Sequence, residues 1–181
     1  MTLNRWYSAA VILAMLVARV PLALCNTVTG TQTLSVNVSA IGKLSVVQSS
    51  ISLTHAGTTF ADFTGAESVQ YKIRTTISTG SASFTVNATA DFAPANGPSV
   101  ANSDLKYTCS GASLGTACSG TQTMKTSAST NVLTVGAGQC VGTGCAGPDP
   151  SSVTVNLDLV NSPTFQTGSY SATLTFSISA L

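Results

Sequence analysis

Charge is what this chain has least of. Only 7% of its 181 residues are charged, against about 25% in ordinary soluble domains. The scarcity excludes functions that run on clustered charge. A phosphate-binding surface needs grouped Lys and Arg, and here Lys43, Lys72, Arg74, Lys106 and Lys125 are spread along the chain. Neither nucleic acid nor an anionic membrane surface is therefore expected as a partner. Histidine occurs once, at His55, which leaves acid–base chemistry near neutral pH almost unprovided for. Tryptophan also occurs once, at Trp6. No segment carries the 3.6-residue apolar period of an amphipathic helix. The one long apolar run, residues 9–18 (AAVILAMLVA), is interrupted by Arg19 before it reaches the ~20 residues that a bilayer requires, so no membrane span is expected.

That run does fit a secretory signal. Arg5 precedes it, and Ala23-Leu24-Cys25 offers a small-x-small cleavage point, so residues 1–25 read as a signal peptide and 26–181 as a single domain. Two other readings stay open. Leu22-Ala23-Leu24-Cys25 resembles a lipobox that would acylate Cys25, and the segment read alone is also compatible with a native N-terminal helix. Cleavage would take Arg5 and Arg19 from the seven basic residues, leaving five against six acidic ones and a net charge of −1.

Cleavage also turns five cysteines into four: Cys109, Cys118, Cys140 and Cys145. An even number in an exported chain reads as two disulfides. Three connectivities are open. Pairing Cys109 with Cys118 and Cys140 with Cys145 closes the shortest loops, at roughly 2 to 3 kcal/mol of chain-entropy stabilisation each. A four-thiolate zinc site is the rival, but the intervening lengths of eight, twenty-one and four residues lack the paired short knuckles such sites use. No cofactor or metal is expected.

Period-two alternation fills the rest of the chain, as strands with one buried face require. Leu34, Val36, Val38 and Ala40 share a face; so do Val69, Tyr71, Ile73, Thr75 and Ile77, then Phe84, Val86, Ala88 and Ala90, then Val153, Val155, Leu157 and Leu159. The last series is Tyr170, Ala172, Leu174, Phe176, Ile178 and Ala180. Weaker patterns cover 44–53, 105–109, 121–126 and 131–135, separated by Gly-, Pro- and Asn-rich turns. Roughly eight or nine strands predict an all-β fold, an antiparallel immunoglobulin-like or Greek-key sandwich. Two long loops, 109–120 and 136–151, each hold a cysteine pair, and loops of that length are functional or restrained.

Motifs that carry chemistry match and then fail on context. Gly111-Ala112-Ser113-Leu114-Gly115 fits the nucleophile elbow, but no helix follows and His55 lies upstream. Gly142 to Gly147 fits G-x-G-x-x-G, yet Pro-Asp-Pro follows instead of a helix N-terminus. Asp62 and Glu67 are the nearest carboxylate pair, and Asp149 and Asp158 stand apart. Calcium has turn oxygens on offer but no matching loop motif. Tyr107 and Phe165 are the aromatics left for carbohydrate stacking. The chain is read as non-catalytic.

Residues 168–181 begin with a Gly fourteenth from the end and alternate to the terminus. They resemble the C-terminal strand of chaperone–usher pilus subunits, and residues 27–40 (TVTGTQTLSVNVSA) resemble the N-terminal extension by which such subunits complete a neighbour's sandwich. Ala180 stands where those subunits carry an aromatic, and the cysteines lie in the second half of the chain. As a whole the chain also resembles bacterial secreted all-β proteins with Ser/Thr-rich strands. The resemblance implies an exported pilin-like or adhesin-like subunit that associates with its own copies or other surface subunits by strand addition through Leu34, Val36, Val38, Gly168, Tyr170, Leu174, Phe176 and Ile178. The alternative is a monomeric secreted or lipid-anchored module binding through loops 109–120 and 136–151.

Overall fold

The computed structural model describes residues 32–37, 41–55, 57, 59–75, 80–137, 139 and 150–180. The alternation seen in the sequence governs burial along the two longest strands. In β3 (Phe63–Arg74) Glu67, Val69, Tyr71 and Ile73 are buried, and the residues between them face outward. In β9 (Ser151–Leu159) burial alternates without a break, from Ser151 to Leu159. The other strands are β1 (Ile41–Val46), β2 (Thr54–His55), β4 (Ala82–Ala88), β5 (Leu105–Ser110), β6 (Thr116–Ala117), β7 (Gln122–Thr123), β8 (Thr130–Val135) and β10 (Leu174–Ala180).

They form two antiparallel sheets. The larger runs β1-β3-β9-β5-β7, with β2 also paired to β3, and the smaller runs β10-β4-β8-β6. The expected antiparallel sandwich is thus present, with the chain crossing between sheets more often than it turns back in a hairpin. The inner faces meet around Tyr71, Phe84, Tyr107, Met124 and Leu133, all essentially without exposure; the Tyr71 and Phe84 rings lie 6.2 Å apart across the two sheets. Complete burial of each such side chain contributes about 1.5 to 3 kcal/mol.

The series through Ala90 ends at Ala88 and the 121–126 pattern shrinks to Gln122–Thr123; three other expected strands differ from the observed ones for a visible reason. Residues 32–37 form no strand, and Leu34 and Val36 are 91% and 84% exposed; Val38 lies outside the described residues. The 44–53 pattern stops at Val46, because the Glu67 carboxylate accepts hydrogen bonds from Val47 N and Gln48 N, both 3.1 Å, and turns the chain away. The final strand starts at Leu174, so Gly168 and Tyr170 lie in the connection before it. There the Tyr170 ring sits so close to Gly97 that a Cβ at 97 would be 2.1 Å from it, and its hydroxyl donates to the Gln166 carbonyl at 2.7 Å. Ser171 is held to Ala93 by reciprocal 3.0 Å backbone bonds.

The chain divides into two units, Met1–Val36 and Asn37–Leu181; the sandwich belongs to the second. Among the described residues no helix is long and apolar enough to cross a membrane.

Candidate functional site

The flank made by β5, β7, β8 and β6 is cross-linked. Cys109 lies in β5 of the larger sheet and Cys118 just beyond β6 of the smaller, so their disulfide ties one sheet to the other. This is the local pairing expected for the first two cysteines; Cys25, Cys140 and Cys145 lie outside the described residues. Cys118 N donates to Val132 O at 2.8 Å, extending the ladder beside the bond. The Tyr107 hydroxyl also spans the core from β5, 2.8 Å from both Thr130 Oγ1 and the Asn131 carbonyl. Burial raises the Tyr107 pKa above the ordinary phenol value, and the Thr130 bond offsets part of the rise. Because Tyr107 is wholly enclosed, it presents no stacking surface to a sugar.

Loop 109–120 is packed down. Tyr71 OH donates to the Leu114 carbonyl, Leu114 N donates back to the hydroxyl oxygen at 3.3 Å, and Ser113 N donates to Ser152 O at 3.0 Å. Burial raises the Tyr71 pKa, against the lowering effect of hydrogen bonds with Leu114 and Ser113. Ala112 and Leu114 pack on the core. Gly115, at φ +88°, fits where a Cβ would come within 2.9 Å of Thr134 O. Ser113, the serine of the elbow-like match, accepts from Ser152 N at 2.8 Å. His55 lies on β2, its ring edge-on to Phe63 at 5.4 Å.

Asp62, Glu67, Asp91 and Asp104 each accept from backbone N–H groups. Asp62 accepts from Asn161 N at 3.0 Å while Glu67 points into the core, so the nearest sequence pair does not converge. Asp91 gathers Ser99 Oγ at 2.6 Å and the amides of Val100, Phe92 and Ala101. Desolvation raises its pKa, but these four donors outweigh it and leave the carboxyl below its usual value. Among the described residues no group of three or more His, Cys, Asp or Glu side chains converges in a way that could hold a metal ion. The cations are less scattered than the sequence suggests: β1–β3 register sets Lys43 opposite Lys72, with Arg74 on the same outward face.

The β1 and β10 flank is the opposite case. Among the described residues each strand is the outermost of its sheet, with a strand on one side only. The inward residues of β4 are 0 to 4% exposed, yet Leu174, Phe176, Ile178 and Ala180 on neighbouring β10 are only partly buried against the same core. The two edges approach at Gly42, where an added Cβ would lie 3.0 Å from Ile178 Cγ2. Farther along, Val46 pairs with buried Val69 and shares its inward phase, but is 42% exposed. Val47 beside it is also exposed. Sequence reasoning singled out Leu174, Phe176 and Ile178 but missed Val46 and the Gly42 contact, which only the register discloses. No family model matches this chain, and no curated protein matches it.

Proposed function

We propose that the protein is an exported, non-catalytic subunit of a bacterial surface assembly, joined to neighbouring copies by strand addition along the β1–β10 flank. The observation that carries the reading is the half-covered inner face of β10, on a flank where β1 and β10 each have, among the described residues, a paired strand on one side only. An edge of this kind offers unpaired N–H and C=O groups to an extended segment, whose alternate side chains then fill the apolar strip.

The segment is residues 27–40 of another copy. Leu34, Val36, Val38 and Ala40 recur every second residue, in the same period as Leu174, Phe176, Ile178 and Ala180. Leu34 and Val36 are the most exposed large apolar side chains among the described residues. The disulfide favours an oxidising compartment, which agrees with the leader-like first 25 residues.

The test compares protein 26–181 with a form lacking 26–41, by unheated gel electrophoresis and electron microscopy. The longer form should give heat-labile ladders or filaments. The shorter should stay a folded monomer that binds a synthetic 27–40 peptide. A strictly monomeric 26–181 that leaves the peptide unbound would overturn the reading.

A further inference from the structure

The outer face of the larger sheet carries a second feature, away from the β1–β10 edge. β3, β9 and β5 lie side by side, and their register sets out rows of outward residues: Thr64, Asp158 and Lys106; then Ala66, Asn156 and Thr108. Ala66 is small between larger neighbours, and Thr121 rises from the segment before β7. Together these residues enclose a shallow depression of about 460 Å³, within the roughly 300 to 1,000 Å³ usual for small-molecule sites.

Its lining is polar and carries one carboxylate. Asp158 Oδ1 is removed from solvent and has no hydrogen-bond partner among the described residues. An occupant of the depression would not reach that atom either, so the carboxylate would meet a ligand through its other oxygen. The Asn156 amide donates one N–H to Ser110 Oγ at 3.1 Å, leaving its second N–H to donate and its carbonyl oxygen to accept. Thr64, Thr108 and Thr121 contribute hydroxyls that both donate and accept. The occupant suited to this lining brings several O–H donors and no net charge. An anion would meet the Asp158 carboxylate, and a cation would find a single carboxylate with Lys106 opposite it in register. We infer that the depression formed by Thr64, Ala66, Thr108, Thr121, Asn156 and Asp158 binds a neutral, hydroxyl-rich ligand of saccharide type, with Asp158 accepting from its hydroxyls.

This site is independent of strand addition and stands or falls without it. The experiment is a titration of isotopically labelled protein with methyl α-mannoside, methyl β-galactoside, N-acetylglucosamine and sorbitol, followed through backbone amide shifts. At least one probe should give saturable, millimolar-range shifts at 64–66, 107–108, 121 and 156–158. Asp158→Asn keeps the shape and replaces one acceptor by a donor; it should weaken binding about tenfold, the equivalent of one charge-assisted hydrogen bond. Ala66→Leu, which fills the floor, should abolish the shifts while the rest of the spectrum stays in place. The inference fails if none of the four probes shifts these amides, if the Asp158→Asn protein binds as tightly as the original, or if calcium chloride alone gives the same saturable shifts, which would make this a cation site.

Discussion

The two flanks of the sandwich are closed by different means. On one, a covalent bond and the Tyr107 hydroxyl pass from sheet to sheet, and Met124, just beyond β7, is wholly enclosed. On the other, β1 and β10 meet through the Gly42–Ile178 approach and leave Val46, Val47 and the inner face of β10 partly wet. One flank is finished by the chain itself; the other is finished only in part. In a protein with so few charges, apolar surface left at an edge is the strongest available means of association.

The comparison breaks most readily at its aromatic pair. Phe84 on β4 and Phe176 on β10 lie 5.8 Å apart, but Phe84 has no exposure and Phe176 is half-buried. Phe84→Ala should cost about 3 to 5 kcal/mol in urea unfolding, as full-size core truncations do, and Phe176→Ala about half that. Equal losses would mean that the β10 side is as well packed as the rest.

Next in size is the cystine. Replacing Cys109 and Cys118 together by Ala should lower unfolding free energy by about 2 to 3 kcal/mol, the chain-entropy value for so short a loop. Hydrogen exchange should then speed up in β5 and β8 while β1 and β10 stay as they were. Loosening at β1 instead would show that the flanks are coupled.

The smallest effect is the most diagnostic. Burial raises the Tyr107 pKa, so the neutral phenol stabilises the fold fully below the unfolded value of about 10. That contribution is lost as pH climbs from there through the folded value. Tyr107→Phe should cost about 1 kcal/mol at neutral pH and should flatten the decline of the urea midpoint above pH ~10. Tyr71, raised in the same direction, retains its own share of that decline. An unchanged slope in Tyr107→Phe would remove this residue from the account.

Much of the fold was legible because a strand has only two faces. The Val153-to-Leu159 and Val69-to-Ile73 series predicted burial residue by residue. Legibility ended where partners, not periodicity, decide. The two-residue strands β2 and β6 are too short to show a period, and of the 121–126 pattern only Gln122–Thr123 pairs, as β7. Glu67 falls in phase with Val69 and Tyr71, but nothing local says that its carboxylate caps Val47 and Gln48. Tyr170 continues the alternation of β10 and is nevertheless drawn off by Gly97, over seventy positions away. Of the site, Leu174, Phe176 and Ile178 could be named from the sequence, whereas Gly42 and Asp158 acquire meaning only through the strands beside them.

The outward faces are built mostly from Thr, Ser and Asn, with charge confined to a few positions such as Lys43, Lys72, Arg74, Lys106 and Asp158. Counter-ions therefore have little to gather around, and dissolved salt has little to screen. Contacts made through these hydroxyls and amides alone should hold with nearly the same strength in dilute and in saline water.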